Sequence, residues 1–219
     1  MEIHAPERPI DSFKDFALHI AIVTCGILIA LGLEGLREFV HNRHLVRETR
    51  ESVRFEMEVN LDHGTDEFPR VAVYNTQLKS LIKDLPTLAA QHPEQVNQRL
   101  DQIANPGYFF LSNSWQSALS TGALEHMSTA EVSAYGGAAE VIKIYSDLQH
   151  DAEANEARAK AFFTAHPRLT PDQLEEGTER LLLFSRAEEA LAFVGPQMKQ
   201  SLERALSAAN ARQSPASTR

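Results

Sequence analysis

The chain has 219 residues, 43% hydrophobic and 23% charged, enough for one apolar anchor and one medium-sized soluble body. Its formal net charge of -9 speaks against a basic surface that would compensate nucleic-acid phosphates, and against a polybasic grip on anionic lipid. The single cysteine, Cys25, excludes intramolecular disulfides and thiolate metal clusters.

Residues 1–15 read as an N-terminal tail in which Glu2, Glu7, Asp11 and Asp15 outnumber Arg8 and Lys14. Residues 16–33, FALHIAIVTCGILIALGL, carry no formal charge. As a helix they span about 27 Å, close to the hydrocarbon thickness of a bilayer. The stretch is therefore expected to be a transmembrane helix in contact with the lipid bilayer. Two rival readings are a buried helix of a soluble protein and a cleaved signal peptide with Ala30 and Gly32 at the cleavage site. The acidic tail and the length of the apolar run favour the anchor. Arg8 and Lys14 before the span, against Arg37, Arg43 and Arg47 after it, tilt the positive-inside count toward a cytoplasmic body. Long domains also translocate regardless of such charges, so the topology stays open.

Ala17, Ala21 and Cys25 recur every four residues within the span, and Gly26 with Ala30 forms a second small-xxx-small pair. Small residues let helix backbones approach closely in lipid, which makes these five the candidate membrane-helix packing residues. The plainer alternative is that any anchor carries scattered small residues. His19 lies one turn inside the run, where its ring reaches the interface.

Residues 34–208 are expected to form a helical stalk and bundle. Leu45, Thr49, Val53, Met57 and Leu61 form one modestly apolar stripe between acids and arginines, so the anchor helix is expected to continue as a stalk ending near Gly64. Thr65, Asp66 and Pro69 then mark a new helix start, leading to Pro86. A short helix follows Pro93, and Asn105-Pro106-Gly107 is a turn. Tyr108, Phe109, Phe110 and Trp115 are the densest aromatics of the body and are expected in the core.

Ser128 with Glu131 makes a capping box for a long helix carrying Val132, Tyr135, Ile142, Tyr145 and Leu148 toward Phe163. His166-Pro167 ends it. Thr170-Pro171 opens the last helix, with Leu174, Leu181, Phe184, Leu191, Met198 and Leu202 and an expected kink at Gly195-Pro196. Residues 209–219 are expected to be a disordered tail. With no strand pattern anywhere, the fold class is all-α: one N-terminal transmembrane helix continuing into a stalk helix packed in an antiparallel helical bundle.

Candidate chemistry is thin. Glu34, Glu38, His41 and His44 share adjoining helix positions, and Glu38-x-x-His41 is the local unit of di-iron bundles, but a second complete unit is missing and Asp147-x-x-His150 is an imperfect echo. Ser80-x-x-Lys83 matches one short motif of penicillin-recognising enzymes without its companions. Ser112, Ser114, Ser117 and Ser120 beside Trp115 either line a small pocket or, as such serines more often do, cap and turn a helix. Phosphate-binding, dinucleotide, zinc-protease and nucleophile-elbow motifs are missing. No catalytic residue, metal or cofactor is therefore assigned.

Ile27-Leu28-Ile29-Ala30-Leu31-Gly32-Leu33-Glu34, together with Trp115-Gln116-Ser117-Ala118-Leu119-Ser120-Thr121-Gly122-Ala123-Leu124, resembles a group of uncharacterised single-pass bacterial membrane proteins. Many members of that group have a basic N-terminus, whereas this one is acidic. The resemblance implies a bacterial inner-membrane location and an all-helical body, and it brings no catalytic residues. The expected function is a membrane-anchored interaction or scaffold protein with a homo-oligomer or protein partner and no nucleic acid. The alternatives are a single-anchor ligand-sensing module and a membrane-tethered enzyme with an unrecognised site.

Overall fold

The computed structural model describes residues 13–103, 107 and 109–210. The tail up to residue 12, residues 104–106, Tyr108 and residues 211–219 lie outside that range, and with them most of the expected N-terminal tail, turn and C-terminal tail. The described residues form helices α1 (Phe13–Gln91), α2 (Glu94–Gln102), α3 (Asn113–Thr121), α4 (Thr129–Ala165) and α5 (Pro171–Asn210), with a 3₁₀ turn at Ala123–His126. No strand occurs among them, so the all-α fold class holds. The chain divides into two compact units, Met1–Arg47 and Glu48–Arg219. In the first, the described residues are all helical.

The second unit is built on a shared sequence period. On α5 the buried positions run Gly177, Leu181, Phe184, Glu188, Leu191, Gly195, Met198, Leu202, Ala205 and Ala209, alternating steps of four and three. On α4 the same alternation links Glu131, Tyr135, Ala138, Ile142, Tyr145, Gln149 and Ala152. On α1 it links Val53, Met57, Asn60, Gly64, Glu67 and Val71. A mean step of 3.5 residues keeps each seam facing its neighbours, the geometry of knobs-into-holes packing.

Directions follow from the pairs that meet. Arg50 reaches Glu131 and Glu67 reaches Tyr145, so α4 runs parallel to α1. Phe68 lies against Gly195 while Asn75 meets Ser185, and Phe163 lies against Gly177, so α5 is antiparallel to both. The antiparallel bundle thus contains one parallel pair. Two parallel helices need a return connection, which the chain between α1 and α4 supplies. Asn60 donates to the Leu111 carbonyl at 2.7 Å and accepts from its N–H at 2.8 Å. The Glu56 carboxylate accepts the Ser114 N–H at 2.9 Å, placing negative charge at the start of α3 where the helix dipole favours it.

Three expectations about α1 are corrected. It does not end near Gly64, does not restart at Pro69 and does not stop at Pro86. Both prolines are exposed, and each costs the helix one donor, to the carbonyls of Thr65 and Ile82, without a side chain lost from the seam. Gly64 is no terminator because it is buried with the Phe68 ring lying over it. The regular four-residue stripe is corrected too: Leu45, Thr49 and Leu61 are only half-buried, while Asn60 and Glu67 occupy the seam.

Among the aromatics, Phe110 stacks on Phe68 at 6.3 Å and meets Tyr145 edge-on at 5.2 Å. Trp115 packs on the same core and covers Gly136. Phe109 is not core: it is 84% exposed. Ala209, assigned to the tail, is a buried residue of α5.

The caps form where expected. The Ser128 hydroxyl accepts the Glu131 N–H at 3.4 Å and the Glu131 carboxylate accepts the Ser128 N–H at 3.1 Å. Thr170 and Gln173 make the same reciprocal pair at the start of α5. Gly122 ends α3 at φ +73°, a left-handed conformation that glycine adopts without a Cβ penalty. Ser128→Ala is expected to lower stability by about 1 kcal/mol, measured by chemical denaturation.

Candidate functional site

Two places in the structure stand out from ordinary helical packing: the apolar surface near the start of α1 and a layer of acids inside the bundle. Residues 16–33 are exposed throughout, including Leu18, Ile20, Ile22, Leu28, Ile29 and Leu31. A core helix of a soluble protein would bury this surface, and here none of the most apolar window is buried. By length and composition the segment is able to cross a membrane. Ala17, Ala21, Cys25, Gly26 and Ala30 all lie on its exposed surface, and a Cβ added at Gly26 would meet no atom. Beyond the span, the Arg43 guanidinium lies over the Phe39 ring at 5.5 Å.

The remaining sequence candidates are not drawn together. Glu34, Glu38, His41 and His44 are all exposed on α1. Among the described residues no three His, Cys, Asp or Glu side chains converge in a metal-holding group. Asp147 pairs with Lys143 at 2.7 Å. The Ser80 hydroxyl faces Asp84 at 3.4 Å and Arg99 at 3.2 Å, an arrangement that does not involve Lys83. Hydrogen bonding from Arg99 holds the Asp84 carboxyl below its usual value. Ser80, Arg99, Gln77, Gln102 and Ile103 line a surface cleft of about 160 Å³, below the 300–1,000 Å³ usual for small-molecule sites. Ser114 offers its N–H to Glu56, and the Ser120 hydroxyl donates to the Ser117 carbonyl, so these serines hold local structure.

The acid layer was not legible as a site in the sequence. Glu67 of α1, Glu188 of α5 and Tyr145 of α4 are all buried in the seam, and the Tyr145 hydroxyl donates to Glu67 Oε1 at 2.9 Å. Burial first, then the negative charge and hydrogen bond of Glu67, push the Tyr145 phenol well above its ordinary value, so it stays a donor. Glu188 Oε2 is buried without a hydrogen-bond partner. Burial, then Glu156, then Glu67 push the Glu188 carboxyl up to about 7.

Glu131, at the start of α4, shows the opposite outcome. Burial would raise it, but hydrogen bonds from Arg50 at 2.8 Å and from Ser128 outweigh that and lower it. The only sequence sign of the Glu188 layer is its position in the α5 heptad, midway between Phe184 and Leu191. No family model, curated protein or solved structure matches the chain in comparisons with known proteins.

Proposed function

We propose that this protein is a single-pass anchor of a bacterial inner membrane whose helical body binds another protein or self-associates. The observation that carries the reading is the uncharged, fully exposed stretch 16–33 in the same helix, α1, that also supplies one seam of the bundle. Such a surface is favourable in lipid and costly in water. The body supports an interaction role over an enzymatic one. Its seams are filled by Leu, Met, Phe, Tyr and Ala side chains, and the small cleft at Arg99 is already bridged by Asp84. The bacterial assignment rests on the resemblance of Ile27–Glu34 and the Trp115 segment.

Membrane association is tested by alkaline extraction of the full chain. It is expected to remain with the membrane pellet, and Ile27→Asp, which places a charge near mid-span at a cost of about 3 kcal/mol, should shift part of it to the supernatant. Recovery of the wild-type chain in the supernatant would overturn the anchor. If α1 also pairs in the membrane, Ala21→Leu and Gly26→Leu should weaken crosslinked dimers by crowding that face. Unchanged oligomers in both variants would place self-association elsewhere. With Cys25→Ser and Ser214→Cys, an impermeant thiol reagent is expected to label only after lysis, as the arginine count favours.

A further inference from the structure

The seam that joins α1, α4 and α5 buries an acid, Glu188, between Phe184 and Leu191 of α5. Glu188 is 1% exposed, and its Oε2 meets no donor. The ionisable groups that face it are Glu67 and, from α4, Glu156 and Tyr145. Tyr145 gives its proton to the hydrogen bond with Glu67. Lys160 pairs with Glu156 at 2.7 Å from the same helix and also approaches Asp101. Among the described residues Glu188 is therefore left near two carboxylates with no ion pair of its own. An ionised carboxylate cannot be held there at ordinary cost, because desolvation and both neighbours oppose the charge. The described acids do not converge as a metal cage. A proton is the smallest species that neutralises the layer.

We propose that Glu188 holds a proton in the closed bundle and that this layer is a proton-operated latch between α5 and its partners α1 and α4. Losing the proton places a negative charge opposite Glu67 and Glu156 and opens the middle of α5. That helix has a built-in weak point two turns on. Pro196 removes the donor to the Ala192 carbonyl, and the adjacent Gly195 offers only a bare backbone to Phe68. The carboxyl's position near neutrality puts the response within reach of physiological pH, where an ordinary glutamate would already be ionised. The latch depends on the bundle alone and stands whether or not residues 16–33 lie in a membrane.

The test is amide hydrogen exchange of the full chain in detergent micelles, corrected for the intrinsic pH dependence of exchange. Protection across residues 184–198 is expected to fall by a factor on the order of a hundred between pH 5 and 8 and then level off. Glu188→Gln should remain protected throughout that range. Protection that does not change with pH in the wild-type chain, or a pH response that persists in Glu188→Gln, would overturn the latch. A flat profile in Glu67→Gln with an unaltered Glu188→Gln would also overturn it, by moving the proton to the wrong acid. Infrared spectra provide a second reading that needs no stable variant. A protonated-carboxyl band should persist at pH 6.5, after exposed acids have ionised, and vanish by pH 8.5. No such band at pH 6.5 would overturn the proposal.

Discussion

Phe184→Ala is expected to lower the unfolding free energy of the body by about 3–5 kcal/mol, whereas Phe193→Ala should change it by less than about 0.5 kcal/mol. Both phenylalanines stand on α5, and the difference is geometric. Phe184 is 1% exposed within the cluster formed with Leu78, Leu81, Leu100 and Leu181, while Phe193 is 72% exposed. Removing a ring from a close-packed seam loses its transfer free energy and leaves a cavity that neighbouring helices fill only in part. Urea denaturation followed by Trp115 fluorescence checks this at a distance, because Trp115 packs on the other cluster, with Tyr135 and Ile142. A midpoint shift at Trp115 in Phe184→Ala shows that the two clusters unfold together. Equal shifts for both phenylalanines would refute the seam.

The wild-type body should also become less stable as pH rises from 5 to 8, by about 2–3 kcal/mol at no more than roughly 1.4 kcal/mol per pH unit, and then flatten. The sign follows from proton counting. Glu188 in the unfolded chain ionises near 4.5, whereas in the bundle it holds its proton to about 7. Between those values the native state binds the extra proton, so raising the pH favours unfolding. Glu131 acts on the acid side with the opposite sign. Its lowered value, from the Arg50 and Ser128 hydrogen bonds that outweigh burial, contributes stability that is lost as pH falls through the folded value. Maximum stability is therefore expected near pH 5. Equilibrium denaturation at half-unit steps from pH 4 to 8 measures the curve, and stability that increases from 5 to 7 would contradict the buried protonated Glu188.

Local chemistry was legible wherever neighbours in the chain decide it. Ser128 with Glu131 closes a reciprocal cap within a single turn and Thr170-Pro171 opens α5, so residue type and spacing were sufficient; the Gln173 partner of Thr170 was seen only in the structure. The apolar alternation on α5 was legible for the same reason, since Leu181, Phe184, Leu191, Met198 and Leu202 already show the 3.5-residue step. The misreadings cluster at polar or small seam residues. Gly64 and the nearby Pro69 read as a break, and Asn60 and Glu67 stand outside the expected apolar stripe, because their partners lie far along the chain. Asn60 is matched by the Leu111 backbone and Glu67 by the Tyr145 hydroxyl, and no local pattern announces either pairing.

What the sequence by itself determined is therefore the material of the protein: an uncharged stretch of membrane-spanning length, helices with their caps, and most of the apolar seam. These depend on composition and on contacts within a few residues. Only the tertiary structure decided that α1 passes through its prolines, that α4 runs parallel to it, that Phe109 faces out, and that Glu188 is buried within electrostatic reach of Glu67 and Glu156. Those outcomes depend on which distant surfaces bury each other. Burial turns an ordinary glutamate into one that keeps its proton near neutrality because it removes the water that would otherwise stabilise the charge.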